Sequence, residues 1–181
     1  MNSKQSKLSD LILVAFDTET SGQYPLQAQI CEIAATKWKA GREVETFQTL
    51  VKPDEPMSDF VIGIHNITNE MVEDAPKIGE VIASFAEFID GAIPVAHHAP
   101  FDLGFMAPEI ESAGLPLPKL PVLCSSLLSR KMIKESSNHK LQTLIKVLNL
   151  QAGQAHRALD DARACLGVTL ECFSRMGAEA T

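Results

Sequence analysis

What the chain lacks narrows what it can be. No apolar stretch reaches the roughly 20 residues that a membrane-spanning helix needs, so no membrane partner is expected. The opening residues, MNSKQSKLSD, carry lysines. The apolar run behind them is interrupted by Asp10 and closed by Asp17, with no small-residue cleavage pattern between, so no secretory leader is read and a cytoplasmic location is expected. The few cysteines, at 31, 124, 165 and 172, do not fall in the CxxC or Cys/His spacing that structural zinc requires. They read as buried, unpaired thiols of a reducing compartment. Positive charge is short as well. With 16 Lys and Arg against 23 Asp and Glu, the net −7 argues against a broad basic surface for phosphate backbones.

That deficit is uneven. From Lys119 to Lys146, six cations (Lys119, Arg130, Lys131, Lys134, Lys140 and Lys146) meet only Glu135, a local +5 that leaves −12 for the rest. Such a stretch forms either a positive wall beside an acidic site or the solvated faces of helices.

With 45% hydrophobic residues and ten each of Gly and Pro in 181 residues, the chain has the composition of one globular domain able to bury a core. Internal repeats and low-complexity tracts are absent. A folded unit over 11–176 is expected, between loose tails at 1–10 and 177–181. Strand-like segments at 11–17, 28–38 and 43–52 come first, the last two joined as a hairpin across Lys39-Ala40-Gly41-Arg42. Short helical pieces follow near 57–62 and 68–72. Residues 76–90 space Ile78, Val81, Ile82, Phe85, Phe88 and Ile89 by threes and fours, the stripe of an amphipathic helix ended by Gly91. A short buried strand at 92–96 precedes a helix from Pro100 to about Ala113, then a last strand at 122–123. Helices near 124–133, 140–148 and 158–176 complete the chain. Early strands and later strand-helix-strand crossings predict an α/β sandwich, a mixed sheet with helices on its faces.

Three places put acids at the edge of apolar structure. In Asp17-Thr18-Glu19 the side chains at i and i+2 share one face of an extended backbone. Asp102 falls in the first turn of the helix after strand 92–96, and Asp161 falls near a helix start. Singly, each has an ordinary explanation in the helix dipole or in solvation. As a set they occupy one rim of the sheet, where α/β folds bind ligands. Two carboxylates about 5 Å apart repel by roughly 3 kcal/mol at an effective dielectric near 20, and divalent cations resolve that repulsion. An all-oxygen set favours Mg²⁺ or Mn²⁺ over zinc, and a pair of ions so held suits in-line displacement at phosphorus. A water for that displacement needs a base. A helix through both His156 and Asp161 would set them some 140° apart, so His156 is expected on the loop after Gly153, free to swing toward the ions as the base.

These residues carry a resemblance. FDTETSG, AHHAPFD and HRALDDA, in this order, resemble the motifs of the DEDD exonucleases in the histidine-containing DEDDh branch, best known from the proofreading epsilon subunits of bacterial DNA polymerase III. The flanks CEIAA, GIHNIT, MVEDAP and Lys140-Leu141-Gln142-Thr143-Leu144 agree, and the likeness covers roughly residues 10–176. It implies an α/β, ribonuclease H-like fold, a mixed five-stranded sheet flanked by helices. It also implies removal of nucleoside monophosphates from 3′ ends with two divalent cations, Mg²⁺ or Mn²⁺. Carried over by motif, Asp17, Glu19, Asp102 and Asp161 are the metal-holding quartet and His156 the general base; Thr20, His65 and Phe101 lie against the terminal nucleotide.

Single-stranded or frayed 3′ ends of DNA are the implied substrate, since a wedge can stack on or separate bases without reading sequence. The same chemistry on RNA or short oligonucleotides is the nearest alternative, because the motifs do not distinguish sugars. A non-catalytic nucleic-acid-binding module is an alternative of another class, opposed by the intact quartet. A DNA polymerase is an implied partner. Similar proofreading subunits meet it through a further C-terminal segment, so this chain is expected either to act alone or to use another surface. Three positions depart from the family pattern: His98 where many relatives have Asn, Val122-Leu123-Cys124-Ser125 in place of an Asp-Thr pair, and Gln23 where Leu or Met is common. Glu32 reads as a supporting or sheet-edge group and Asp160 as a solvated acid.

Overall fold

The computed structural model describes residues 11–117, 121–151, 153 and 155–179. Its centre is β1 (Ile12–Thr20), whose apolar half is good material for a strand buried on both faces. β2 (Ile30–Lys39) and β3 (Arg42–Leu50) pair antiparallel on one side of it, β4 (Ile93–Ala96) and β5 (Leu123–Cys124) parallel on the other, in the order β3-β2-β1-β4-β5. The hairpin forms where it is expected, with Ala40 and Gly41 both at positive φ (51° and 83°), as a two-residue turn matched to strand twist requires.

Six helices follow among the described residues: α1 (Asp59–His65), α2 (Ile78–Ile89), α3 (Pro100–Ser112), α4 (Ser125–Met132), α5 (Leu141–Val147) and α6 (Ala158–Glu179). The alternation of β1 sorts them into layers. Val14 and Phe16 point into a core with Ile82, Phe85 and Ile89 of α2 and Phe105 and Met106 of α3, and Phe16 meets Phe85 edge-on at 5.7 Å. Leu13 and Ala15 point the other way, against Cys165 and Leu166 of α6. The mixed five-stranded sheet flanked by helices is the ribonuclease H-like fold.

Several expectations need adjustment. β1 runs three residues beyond Asp17, because β2 continues to pair with it as far as Thr20. Successive turns at 69–74 replace the helix expected at 68–72. Thr68 Oγ1 accepts from the Met71 amide at 3.3 Å, while the Asn69 side chain binds the Met57 amide and carbonyl and delays α1 to Asp59. Helix α6 extends through 177–179, which the sequence reading gave to a tail, whereas residues 1–10 and 180–181 lie outside the described residues, as does Lys119. All four cysteines are free and three of them are buried. Among the described residues no helix is long and apolar enough to cross a membrane.

Candidate active site

The acids are positioned by where strands stop. β4 pairs with β1 only as far as Ala15. Beyond that point the chain leaves β4 through His97 and His98 and enters α3, whose first turn stands where a strand would have continued. Asp102 fills the gap: its Oδ1 accepts the Thr18 amide at 3.1 Å and the Thr18 hydroxyl at 2.9 Å. Asp102 is thereby fixed to β1 although 84 residues separate the partners. Asp17 and Glu19 follow Leu13 and Ala15 onto the α6 face, toward Asp161 at the start of α6.

His156 lies on the turn before α6, as its spacing from Asp161 requires, with φ 59°. Its backbone amide donates to Asp161 Oδ2 at 3.0 Å, and Gln142 Nε2 donates to Oδ1 at 3.2 Å, so the Asp161 carboxylate is held from both sides. The imidazole is exposed. A ring nitrogen of His156 and a carboxylate oxygen each from Glu19 and Asp161 lie within 4.8 Å of one another.

Glu32 is no sheet-edge group. It sits on β2, an interior strand, fully buried and directly opposite Glu19. Like charges so placed are destabilising. Arg157 offsets them, reaching Glu32 Oε1 with Nη2 at 3.1 Å, while Gln48 Nε2 donates to the same oxygen at 2.8 Å. Glu32 Oε2 accepts the amide of Ala158, the first residue of α6, at 3.2 Å. The carboxylate thus satisfies one of the helix's orphan donors and complements its dipole. Asp160 is partly exposed and lies 4.0 Å from Arg163; its carboxylate occupies the space that a Cβ on Gly153 would need.

Burial acts on every member of the quartet, and repulsion by its other members adds to it at Asp17 and Glu19. Asp17 is pushed well above the usual carboxylate range, first by burial and then by Asp102, Glu19 and Asp161. Burial, Asp161, Glu32 and Asp102 raise Glu19 to about 8, with Arg157 opposing. Asp102 is raised to about 7 by burial against the Thr18 hydrogen bonds. Asp161 is raised by burial, with the His156 amide opposing. Buried carboxylate oxygens beside one imidazole are the donor chemistry of a divalent-cation site, and a bound cation would remove this strain.

A cavity of about 340 Å³ adjoins the acids. Thr18, Glu19, Thr20, His65 and Phe101 contribute to its wall, so the three residues expected against a terminal nucleotide line one cavity with Glu19. His65 is nevertheless almost fully buried: Nδ1 accepts the Ile67 amide at 3.0 Å and Nε2 faces Cys31 Sγ at 3.7 Å. Gln23 also lines the cavity, and its neighbour Tyr24 and Phe60 of α1, 66% and 73% exposed, supply apolar surface that Gln23 does not.

The other departures have local explanations. His98 has φ 68°, in the left-handed region where Asn and His are both enriched. Cys124 leaves α4 without a side-chain cap, while Ser125 lies 2.8 Å from His97 Nδ1. The sequence reading missed Thr18, Gln142 and Arg157. Glu32 carried a signal, an acid inside the apolar run ICEIAA.

Residues 14–169 match the RNase_T family, described as Exonuclease. The chain belongs to this exonuclease family. Relatives include the PolC-type DNA polymerase III of Caldanaerobacter subterraneus subsp. tengcongensis, 39% identical over 163 residues, and that of Bacillus subtilis, 36% identical over 169 residues. Each alignment covers 90% of this chain, which spans about 11% of the length of either polymerase. Among solved structures, Exonuclease X in complex with 5′ overhanging duplex DNA is 30% identical, with a TM-score of 0.73 over 91% of this chain and 93% of that one. Exonuclease I of E. coli in complex with a dT13 oligonucleotide has a TM-score of 0.80 at 13% identity, over 93% of this chain and 42% of that one, a likeness of fold.

Proposed function

We propose that this exonuclease-family chain removes nucleoside monophosphates one at a time from single-stranded or frayed 3′ ends of DNA, with two divalent cations, Mg²⁺ or Mn²⁺. The observation that carries the reading is the convergence of four buried or half-buried carboxylates and one exposed imidazole, with Glu19 opening onto a cavity. The cavity volume falls within the roughly 300–1,000 Å³ range of small-ligand sites.

Asp17, Glu19, Asp102 and Asp161 are the residues that would hold the ions. Bound there, divalent cations supply charge that offsets the carboxylates and the phosphodiester and that acidifies water. The chain's own groups do the rest. His156 takes the proton of the attacking water at a ring nitrogen, and its backbone bond to Asp161 keeps the ring near the acids while leaving the side chain free to turn. Thr18 anchors Asp102, and Gln142 anchors Asp161, so that both carboxylates face the reacting phosphate in one orientation. Thr20, Phe101 and the edge of His65 form the wall against which the last nucleotide rests. A polymerase, as in the PolC-type relatives, is the proposed class of protein partner.

The test is to incubate the protein with 5′-labelled DNA and RNA strands under Mg²⁺, Mn²⁺ or a chelator. A 3′-shortened ladder on DNA that vanishes with chelator is expected. Shortening of RNA alone would transfer the activity to RNA, and no degradation under any ion would leave a nucleic-acid-binding module.

A further inference from the structure

Five cations among the described residues are matched to carboxylates. Lys37 pairs with Glu45, Lys77 with Asp54, Arg157 with Glu32, Arg163 with Glu43, and Arg175 with Glu135 and Glu171. Of the others, Lys39 and Arg42 face each other at the β2–β3 hairpin and Lys52 follows β3. Arg130, Lys131, Lys134, Lys140 and Lys146 are different: all five are exposed, they are close in sequence, and none forms an ion pair among the described residues. The one acid within their stretch, Glu135, is engaged by Arg175 of α6 at 2.7 Å. The fold therefore spends its local carboxylate elsewhere and leaves the positive face uncompensated.

That face is braced. Lys134 Nζ donates to the Arg130 carbonyl at 2.9 Å, Ser129 Oγ lies 3.0 Å from His139 Nδ1, and Asn138 Oδ1 accepts the Lys140 amide at 3.1 Å. The His139 imidazole is held below its ordinary pKa by burial and then by the charges of Arg130 and Lys134. The face also adjoins the acids. His97, at the exit of β4, donates through Nε2 to the His139 carbonyl at 3.0 Å, and Gln142 of α5 holds Asp161. A polyanion brought to four carboxylates needs cations nearby to retain it, and here they stand on the rim.

We infer that the end of α4, the 133–140 loop and the start of α5 form a second contact surface for single-stranded DNA, gripping phosphates of the strand that leads away from the 3′ end in the acidic site. The direction of the strand rests on the proposed exonuclease reading; the surface itself does not. The test is fluorescence anisotropy of a 5′-labelled oligothymidylate, longer than the roughly 4–16 nucleotides of a typical single-strand site, titrated over a range of salt without divalent cation. In R130A/K134A the slope of log K against log salt should fall by about 1.4, or about 25-fold in Kd when referred from 1 M to 0.1 M salt. The control is K39A/R42A, which removes the same charge at the hairpin end of β2 and β3; there Lys39 pairs with Ile12, at the far end of β1 from Glu19. An unchanged slope in R130A/K134A, or an equal change in the control, overturns the surface. Salt-dependent binding as expected, without 3′ shortening once Mg²⁺ is added, sinks the hydrolytic reading and leaves the surface standing.

Discussion

Glu32 shows how one buried residue can govern a site without belonging to its donor set. It neutralises Arg157, caps α6 and lies opposite Glu19, so the loop bearing His156 is anchored to the sheet through it. Glu32→Gln should lower kcat by about 10- to 100-fold, as loss of a ligand's supporting partner does, and raise the Mg²⁺ concentration for half-maximal activity, with KM for DNA little changed. Steady-state kinetics across a metal titration checks this; a loss confined to thermal stability would assign Glu32 a purely structural role. Asp17→Asn should abolish hydrolysis while the fold survives, and in chelator it should melt higher than the parent chain, because one of the repelling buried charges is gone. Circular dichroism and labelled-strand assays report on the two halves of that statement.

At the scale of elements, the catalytic geometry depends on the start of α6. A Cβ on Gly153, just before the turn carrying His156, would meet the carboxylate end of the partly exposed Asp160 side chain. Gly153→Ala should turn the Asp160 side chain aside at a cost within about 0.5 kcal/mol and leave the His156 turn in place, with kcat little changed. Chemical denaturation alongside kcat measures both, and a several-fold loss of kcat would tie the turn to Gly153. The elements also show what a sequence makes legible. The stripe of α2, the hairpin turn and the placement of His156 before its helix follow from local periodicity and are found. The Thr18 bonds to Asp102 and the Glu32 pair with Arg157 span 84 and 125 residues, and no local pattern carries them. The turns at 69–74 were hidden for a similar reason: Asn69 is committed to the distant Met57 backbone, and no helical run forms.

Across the whole molecule, the metal-free site is a liability whose sign can be worked out. Glu19 binds its proton with a pKa of about 8 when folded against 4.5 ordinarily, and Asp102 about 7 against 3.8. Between these limits the native state holds more protons than the unfolded one, so stability falls as pH rises from about 4 to 8. In chelator, Tm should be higher at pH 6 than at pH 8. Saturating Mg²⁺ or Mn²⁺ should raise Tm at pH 8 and flatten the dependence, since a ligand bound only by the native state stabilises it. Differential scanning calorimetry at the two pH values, with and without the ion, decides; a Tm rising with pH in chelator would contradict the electrostatic account.

The bonds joining β1 to α3 and β2 to α6 have one more consequence, for the order of assembly. Loop closure over such separations is slow and must precede the contacts it makes possible. Early in folding, the first strand carries Asp17 and Glu19 with nothing to set beside them. A chain that has not yet brought α6 onto the sheet has acids but no centre, so the proposed hydrolysis is withheld until folding is nearly complete.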